Sequence, residues 1–297
     1  MCICTLQRPE LLERLLTAVA VQHTDGLFNF SCVVVDNDGA ASARPIVERL
    51  QTNYPVPIRY AVETERNFAS VRNRALSLVS GKFAAFIDDD EVPCGNWLVQ
   101  LWRALHHYRA DAVFGPVRPY FERKPPSWIK RGRICERPSY STGTTIHWRK
   151  TRTGNVLFRM AIVVDDAICF DRAYASGGED VDFFRRAAKQ GRTFVWCEEA
   201  PAYELVPEAR LRRRYHLKRA FLQGRLSLSY AIDQPSALGA LWVATKAFAA
   251  TVIYTAALPF LFLLGDHVGM KYLIKDCHHI ARLLAILGVW RSTRRDF

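Results

Sequence analysis

Apolar runs alternate with amphipathic stretches along the first part of the chain. The runs CICTL, SCVVVD, PIRYAV, KFAAFID and ADAVFGPV have the length of strands, and SCVVVD is apolar at consecutive positions, as in a strand buried on both faces. Helical patterns separate them, in PELLERLLTAVAVQ, ARPIVERLQTN, SVRNRALSLVS and GNWLVQLWRALHHY. This order predicts an α/β fold with a mostly parallel central sheet. Ligands of such sheets bind beyond the carboxyl ends of the strands.

The alternation stops between Tyr120 and Arg152, where Pro, Gly, Ser and Arg replace the periodic pattern. We expect a long irregular segment there, of the kind that is usually functional or mobile. Strand and helix patterns return in GNVLFR, in GGEDVDFFRRAAKQG and in TFVWC. We therefore predict a single α/β domain over residues 1–207.

The remaining residues, 208–297, have a different character. A basic helix is predicted at about 208–232, and the uncharged run AFAATVIYTAALPFLFLLG follows at 247–265. That run is close to the 20 or so residues that span a bilayer core, although Pro259 lies inside it. We predict a helical membrane-associating region over 208–297. The alternative is a helical hairpin that packs on the globular domain.

The composition of the 297-residue chain limits the classes of protein to which it can belong. A hydrophobic content of 49% excludes general disorder, and eight scattered cysteines without a CxxC pair fit reduced thiols better than disulfides or zinc. The net charge of +12 suits nucleic acid, anionic membrane or phosphorylated substrates, but no nucleic-acid-binding motif occurs. No signal-peptide pattern opens the chain. Strand-like residues begin at Met1, which leaves open a natural start a few residues upstream.

Four acids follow the apolar run KFAAFI, namely Asp88, Asp89, Asp90 and Glu91. Like charges this close repel each other, so the pattern indicates a positive partner. Side chains two residues apart on a strand point the same way, and we therefore expect Asp88 and Asp90 to converge. Two convergent carboxylates suit Mg²⁺ or Mn²⁺, which bind carboxylates together with substrate phosphates. The alternative is an ordinary acidic turn.

Three further segments carry candidate chemistry. Glu179 and Asp180 begin a helix after two glycines, either as acids that suit a helix N-terminus or as a general base toward a hydroxyl. Asp36 follows SCVVV, either as a turn residue or as an acceptor for a base or ribose. Arg72, in NFASVRNRAL, either contacts phosphate or base oxygens or lies on a solvated helix face.

The segments CTLQRPELLERLL, VVVDND, NFASVRNRAL, FIDDDEVP, TGNVLF and GGEDVDFF, in this order, resemble the family 2 glycosyltransferases. The chain looks most like their bacterial exopolysaccharide branch, similar to the succinoglycan-type glucosyltransferases, over roughly residues 2–210. The resemblance implies a GT-A-type nucleotide-sugar-binding fold and an inverting transfer. The QxxRW segment of processive synthases is absent, so one sugar per encounter is expected. Leu6 and Gln7 depart from the Pro-Thr-Tyr-Asn-Arg-Pro of many relatives, which puts the contacts of those side chains in question.

The resemblance also assigns roles to single residues. Asp180 matches the catalytic base, with Glu179 as the alternative. Asp88 and Asp90 match the motif that holds ribose and a divalent metal, Mg²⁺ or Mn²⁺, and Asp90 is the stronger metal ligand. The residues that match the nucleotide-sugar-binding positions are Thr5, Arg8, Asp36, Asn67, Arg72, Asp88 and Asp89.

The implied partners are a nucleotide-sugar donor, a UDP-sugar such as UDP-glucose, and a polyprenyl-diphosphate-linked saccharide acceptor. The basic run ARLRRRYHLKR, at 209–219, suits anionic headgroups or the lipid diphosphate, or else forms a solvated helix face. The resemblance implies a location on the cytoplasmic face of the bacterial inner membrane, where the enzyme is either peripheral or anchored by residues 247–265. Two other classes remain open: a metal-dependent phosphohydrolase or nucleotidyltransferase, and a non-catalytic membrane scaffold that binds a nucleotide sugar.

Overall fold

Two β-sheets organise the chain in the computed structural model, which describes residues 1–174, 177–231 and 237–288. Its strands are β1 (Cys2–Thr5), β2 (Cys32–Asp36), β3 (Ile58–Val62), β4 (Phe83–Ile87), β5 (Glu91–Pro93), β6 (Ala112–Phe114), β7 (Val117–Tyr120), β8 (Asn155–Arg159), β9 (Phe194–Trp196) and β10 (Ala202–Leu205). The main sheet has the order β3-β2-β1-β4-β8-β6-β9, and only β8 runs antiparallel to its neighbours. The predicted mostly parallel α/β sheet is confirmed.

Six of the helices cover the two faces of this sheet. The helices of the described residues are α1 (Pro9–Ala20), α2 (Arg44–Gln51), α3 (Phe68–Ser77), α4 (Trp97–His107), α5 (Ser127–Gly132), α6 (Ala161–Val164), α7 (Glu179–Lys189), α8 (Arg213–Ala231), α9 (Ala237–Leu263) and α10 (Asp266–Ile286). Helices α1, α2 and α4 pack on one face, and α3, α6 and α7 on the other. In β2, Val33 and Val35 face one core while Cys32 and Val34 face the other. This explains why the strand is apolar at consecutive positions.

The predicted fifth strand, ADAVFGPV, is divided by the structure between two sheets. Its first half is β6, whereas its second half is β7 in a smaller sheet of order β5-β10-β7. Gly115 lies at the break, where an added Cβ would be 2.4 Å from the Ala200 carbonyl oxygen. Only glycine permits so close an approach of two backbones. The segment expected to be irregular, 120–152, also contains helix α5 and a short 3₁₀ turn at Trp148–Lys150.

The chain divides into two compact units. One comprises Met1–Tyr120 and Arg137–Leu205, and the other comprises Phe121–Glu136 and the residues from Val206 onward. In the second unit Trp128 and Ile129 of α5 pack with Met270 of α10. The domain division at residue 207 remains a prediction. Parts of the predicted C-terminal region, 232–236 and 289–297, lie outside the described residues.

Helix α9 carries a long apolar surface. Its stretch Leu241–Leu263 has a mean hydropathy of 1.6 and is long and apolar enough to cross a membrane, and only 6% of it is buried. This stretch overlaps most of the predicted run at 247–265. The helix is therefore compatible with membrane association.

Candidate functional site

A cleft of about 450 Å³ opens at the carboxyl ends of β1 and β4. Its walls come from the turns after these strands, from α3 and from the start of α7, where Gly177 and Gly178 adopt φ values of +108° and +95°. These left-handed conformations favour glycine and bring the backbone close to the open space. The predicted site residues that line the cleft are Thr5, Arg8, Arg72, Asp88, Asp89, Asp90, Glu179 and Asp180. The fold thus brings the two acid clusters to one cleft.

Asp89 is engaged with β1 and the residues just after it. Its Oδ2 accepts a hydrogen bond from the Thr5 hydroxyl at 2.7 Å, and its Oδ1 accepts one from Arg8 Nη1 at 3.1 Å. Arg8 Nη1 also lies 3.3 Å from Asp90 Oδ2, and the Arg8 side chain remains half-exposed. Burial raises the pKa of Asp89, although both hydrogen bonds oppose this shift. Asp89 therefore orients Arg8 toward the cleft.

Asp88 and Asp90 retain oxygens that a cation could reach. The Asp88 side chain is 47% exposed, and its nearest cation is Arg72 Nη2 at 4.0 Å. Burial, together with the charges of Asp88 and Asp89, raises the pKa of Asp90 to about 6. These carboxylates therefore repel one another, and a hard divalent cation would relieve that repulsion.

The donor set fits Mg²⁺ or Mn²⁺ on its chemistry, since both cations prefer carboxylate oxygens. Across the described ranges, no three Asp, Glu, His or Cys side chains are grouped so as to hold a metal alone. A cation on Asp88 and Asp90 would therefore complete its coordination with water and phosphate oxygens, as Mg²⁺ commonly does.

Arg72 connects the two acid clusters. Its side chain is only 13% exposed, and its Nη1 donates to Glu179 Oε1 while its Nη2 faces Asp88. The rings of Phe68 and Phe170 lie within 6 Å of its guanidinium, at 5.8 and 5.9 Å. Of the two alternatives for Arg72, the solvated helix face does not apply.

The two acids that begin α7 are in different environments. Glu179 is 4% exposed and is held by Arg72, and its Oε2 has no hydrogen-bond partner among the described residues. Asp180 lines the cleft, and its Oδ1 accepts a hydrogen bond from the Val181 N–H at 2.7 Å. Asp180 is thus the acid better placed to meet an incoming hydroxyl.

Two predicted residues do not line the cleft. Asp36 is fully buried, and its carboxylate accepts hydrogen bonds from two backbone N–H groups, at 3.0 and 2.7 Å, and from the Tyr60 hydroxyl at 3.0 Å. Asn67 caps α3, and its Nδ2 donates to the Arg172 carbonyl oxygen at 3.1 Å. Asn37, the neighbour of Asp36, lines the cleft instead. The nucleotide contacts predicted for Asp36 and Asn67 remain predictions.

A buried polar group behind Asp88 was not among the predicted site residues. Glu91 is 1% exposed, and its nearest cation is Arg137 Nη1, 3.8 Å from Oε1. Burial and the Asp88 charge raise the pKa of Glu91 well above its usual range. A Cβ on Gly154 would lie 2.8 Å from Glu91 Oε1 and 2.9 Å from Asp88 Oδ2. A side chain at Gly154 would force these carboxylates to shift, so glycine lets the backbone pass close to both of them.

The sequence contains signals for the buried Glu91 and for the close approach of Gly154. Glu91 directly continues the acid run, and Gly154 immediately precedes strand β8 in the motif TGNVLF. Arg152, two residues earlier, is partly buried near Asp88, Glu91 and Asp180. A glycine that begins a strand marks a close backbone approach. That rule could have drawn attention to Gly154.

Comparisons with known proteins agree with this architecture. Residues 1–173 match the family model for glycosyl transferase family 2. The succinoglycan biosynthesis protein ExoM of Rhizobium meliloti (strain 1021) is 34% identical over 229 residues, which cover 75% of this chain and 72% of ExoM.

Two solved structures have a similar fold. S. aureus TarS (1-349) in complex with UDP-GlcNAc has a TM-score of 0.57 at 15% identity, covering 97% of this chain and 91% of that chain. The mannosyltransferase PcManGT from Pyrobaculum calidifontis, in complex with GDP-Man and Mn²⁺, has a TM-score of 0.60 at 18% identity, covering 95% and 86%. The expected GT-A-type fold is confirmed.

Proposed function

The chain belongs to glycosyl transferase family 2, and on that premise we propose that it transfers one sugar from a nucleotide-sugar donor to a lipid-linked saccharide in bacterial exopolysaccharide synthesis. The observation that carries the proposal is the single cleft lined both by the acid run at 88–90 and by Asp180. The role of ExoM in succinoglycan biosynthesis supports the exopolysaccharide setting. UDP-glucose is the proposed donor, and a polyprenyl-diphosphate-linked saccharide is the proposed acceptor.

Asp180 is the proposed general base of an inverting displacement. The acceptor hydroxyl attacks the anomeric carbon, the new glycosidic C–O bond forms, and the bond to the nucleoside diphosphate breaks with its electron pair. Asp180 takes the proton of the attacking hydroxyl. Glu179 does not serve as well, because Arg72 already occupies one of its oxygens.

The opposite wall of the cleft is the proposed donor side. Arg8, oriented by Asp89, is available to the nucleotide, and Thr5 fixes Asp89 in turn. Asp88 and Asp90 would hold Mg²⁺ or Mn²⁺, which when bound neutralises charge on the departing diphosphate. Asp36 and Asn67, whose hydrogen bonds lie within the protein, would shape the turns that receive the nucleotide.

The proposed location is the cytoplasmic face of the bacterial inner membrane. Support comes from the exposed apolar surface of α9, which includes Trp242 and Phe260. Burial of apolar surface in lipid contributes about 25 cal/mol per Å². A lipid-linked acceptor would be met at the same surface.

A donor screen tests the proposal. Binding of UDP-glucose, UDP-galactose, GDP-mannose and dTDP-rhamnose to the full chain in detergent is measured by calorimetry, with Mn²⁺ and then with EDTA. One donor should bind in the presence of Mn²⁺, and Asp90→Ala should weaken its binding. Asp180→Asn should keep donor binding and lose sugar transfer, whereas Asp165→Asn, at an exposed acid, should retain both. Failure of every donor to bind would overturn the proposal, and nucleotide release without sugar transfer would favour the hydrolase class.

A further inference from the structure

Four arginines surround the acids of the cleft, and three of them are paired. Arg8 contacts Asp89 and Asp90, Arg72 contacts Glu179, and Arg137 contacts Glu204. Within residues 1–174, 177–231 and 237–288, the guanidinium of the fourth, Arg152, makes neither a hydrogen bond nor an ion pair. Among these four described arginines, Arg152 is therefore the one beside the acids that lacks a direct partner.

The surroundings of Arg152 make this arrangement unfavourable in the unliganded protein. Its neighbours Thr151 and Thr153 are buried, at 3% and 1% exposure, and fix the segment that carries it. Burial lowers the pKa of Arg152, and the charge of Arg137 lowers it further, whereas Asp180 and Glu91 act in the opposite direction. A partly buried charge without a direct partner costs free energy, and a bound anion would remove that cost.

We propose that Arg152 binds the diphosphate group of a substrate in the cleft. The inference rests on the proposed function and adds a specific diphosphate ligand to it. The planar guanidinium presents paired N–H donors that match phosphate oxygens, and three of its five N–H groups remain available even in a bidentate contact. Two substrates carry this group: the donor, in its nucleoside diphosphate, and the acceptor, in its lipid diphosphate.

The position of Arg152 suits a departing diphosphate. Gly154, two residues further along the chain, lies against the Asp88 carboxylate, which without a bound cation would repel a negatively charged group. Arg152, which lies in the same segment as Gly154, would supply a positive charge that offsets this repulsion. The paired arginines are less suited, because Arg72 and Arg137 are already engaged with Glu179 and Glu204.

Thermal unfolding separates this role from a purely structural one. If Arg152 only balanced the acids, its removal would destabilise the fold. An unpaired guanidinium predicts the reverse, so Arg152→Gln should unfold at the same temperature as the wild type or higher in the absence of ligand. Arg149→Gln is the matched control, because Arg149 lies in the same segment, is exposed and stacks on Trp148 at 4.3 Å.

Calorimetry with Mn²⁺ then measures the binding of UDP, GDP and farnesyl diphosphate to the wild type, Arg152→Lys, Arg152→Gln and Arg149→Gln. Arg152→Gln should weaken the binding of at least one diphosphate by about tenfold or more. Arg152→Lys keeps the positive charge but lacks the planar pair of N–H donors, so it should give an intermediate loss of affinity. A loss with UDP or GDP identifies the donor as the source, and a loss with farnesyl diphosphate identifies the acceptor.

Two results would count against these ideas in different ways. If the wild type binds a diphosphate and Arg152→Gln binds it equally well, the role of Arg152 is refuted while the proposed function stands. If the wild type binds no diphosphate at all, the proposed function fails together with the inference. A clear fall in the unfolding temperature of both Arg152 variants would assign the residue a structural role and overturn the proposal.

Discussion

The contact between Arg72 and Glu179 offers the sharpest test of how the cleft is held together. Arg72→Gln removes the positive charge and leaves the Glu179 carboxylate buried, with both oxygens unpaired. Breaking a buried ion pair from one side typically costs about 3–5 kcal/mol. The 13% exposure of Arg72 places the expected cost near the lower end, about 3 kcal/mol. A domain of this size loses about 2–4 °C in unfolding temperature per kcal/mol, so we expect a decrease of about 6–12 °C.

Thermal unfolding followed by tryptophan fluorescence measures this decrease, and amide hydrogen exchange of α7 shows where the loosening begins. Arg74→Gln is the matched control, since Arg74 lies on the same helix and is exposed. The double variant Arg72→Gln, Glu179→Gln should recover most of the loss because two neutral amides replace an unpaired charge. The reasoning is refuted if Arg72→Gln unfolds within about 2 °C of the wild type, or if the double variant is no more stable than the single one.

Three further changes have defined outcomes. Gly154→Ala would place a methyl group 2.8 Å from Glu91, displacing the carboxylates, and should weaken Mn²⁺-dependent donor binding in calorimetry, whereas Gly39→Ala, with its nearest atom at 3.9 Å, should not. Asp90 has a folded pKa of about 6 against 3.8, so its ionised form destabilises the cation-free fold as pH rises through that window. Asp90→Asn should therefore raise the free energy of unfolding at pH 7.5 by at most about 3 kcal/mol, seen as a higher unfolding temperature, and should have no effect below pH 3.8. Phe248→Asp, on the exposed face of α9, should reduce sedimentation with anionic lipid vesicles, whereas Val164→Asp, equally exposed on the other unit, should not.

Each of these predictions has a result that would contradict it. Equal donor binding by the two alanine variants would mean that the backbone at Gly154 does not limit the acids. A stabilisation by Asp90→Asn that persists below pH 3.8 could not come from ionisation. Unchanged vesicle binding of the α9 variant would exclude that face as the membrane contact.

The sequence was sufficient to predict where the acids meet. Asp88 directly follows an apolar strand, and the carboxyl ends of parallel strands share one edge of a sheet, so the position of the cleft follows from the strand pattern. Glu179 and Asp180 were predicted from the glycines before them, and these glycines do adopt left-handed conformations beside the cleft. The burial of Arg72 was not predictable, because it depends on contacts with residues more than 90 positions away, at Phe170 and Glu179.

The antiparallel direction of β8 could not be predicted from the hydrophobic pattern either. GNVLFR was recognisable as a strand, but an apolar run reads the same whether it pairs parallel or antiparallel. The break at Gly115 was not predicted, since ADAVFGPV is apolar on both sides of it. Glycine and proline together marked the interruption, and a stricter use of them as strand breakers would have divided the run.

The reversed strand β8 brings a separate stretch of chain to the acids that follow β4. The register that pairs Ile87 with Asn155 places Gly154 opposite Asp88, so the beginning of β8, rather than its end, lies at the carboxyl edge of β4. The segment before β8, from Arg137 to Arg152, therefore reaches the acids without passing through the strands that carry Thr5 and Asp36. Changes in its sequence or length would leave the residues of the earlier strands in place. Exchanging this segment between related enzymes should alter the groups that meet Asp88 and Glu91 while Thr5 and Asp36 keep their positions.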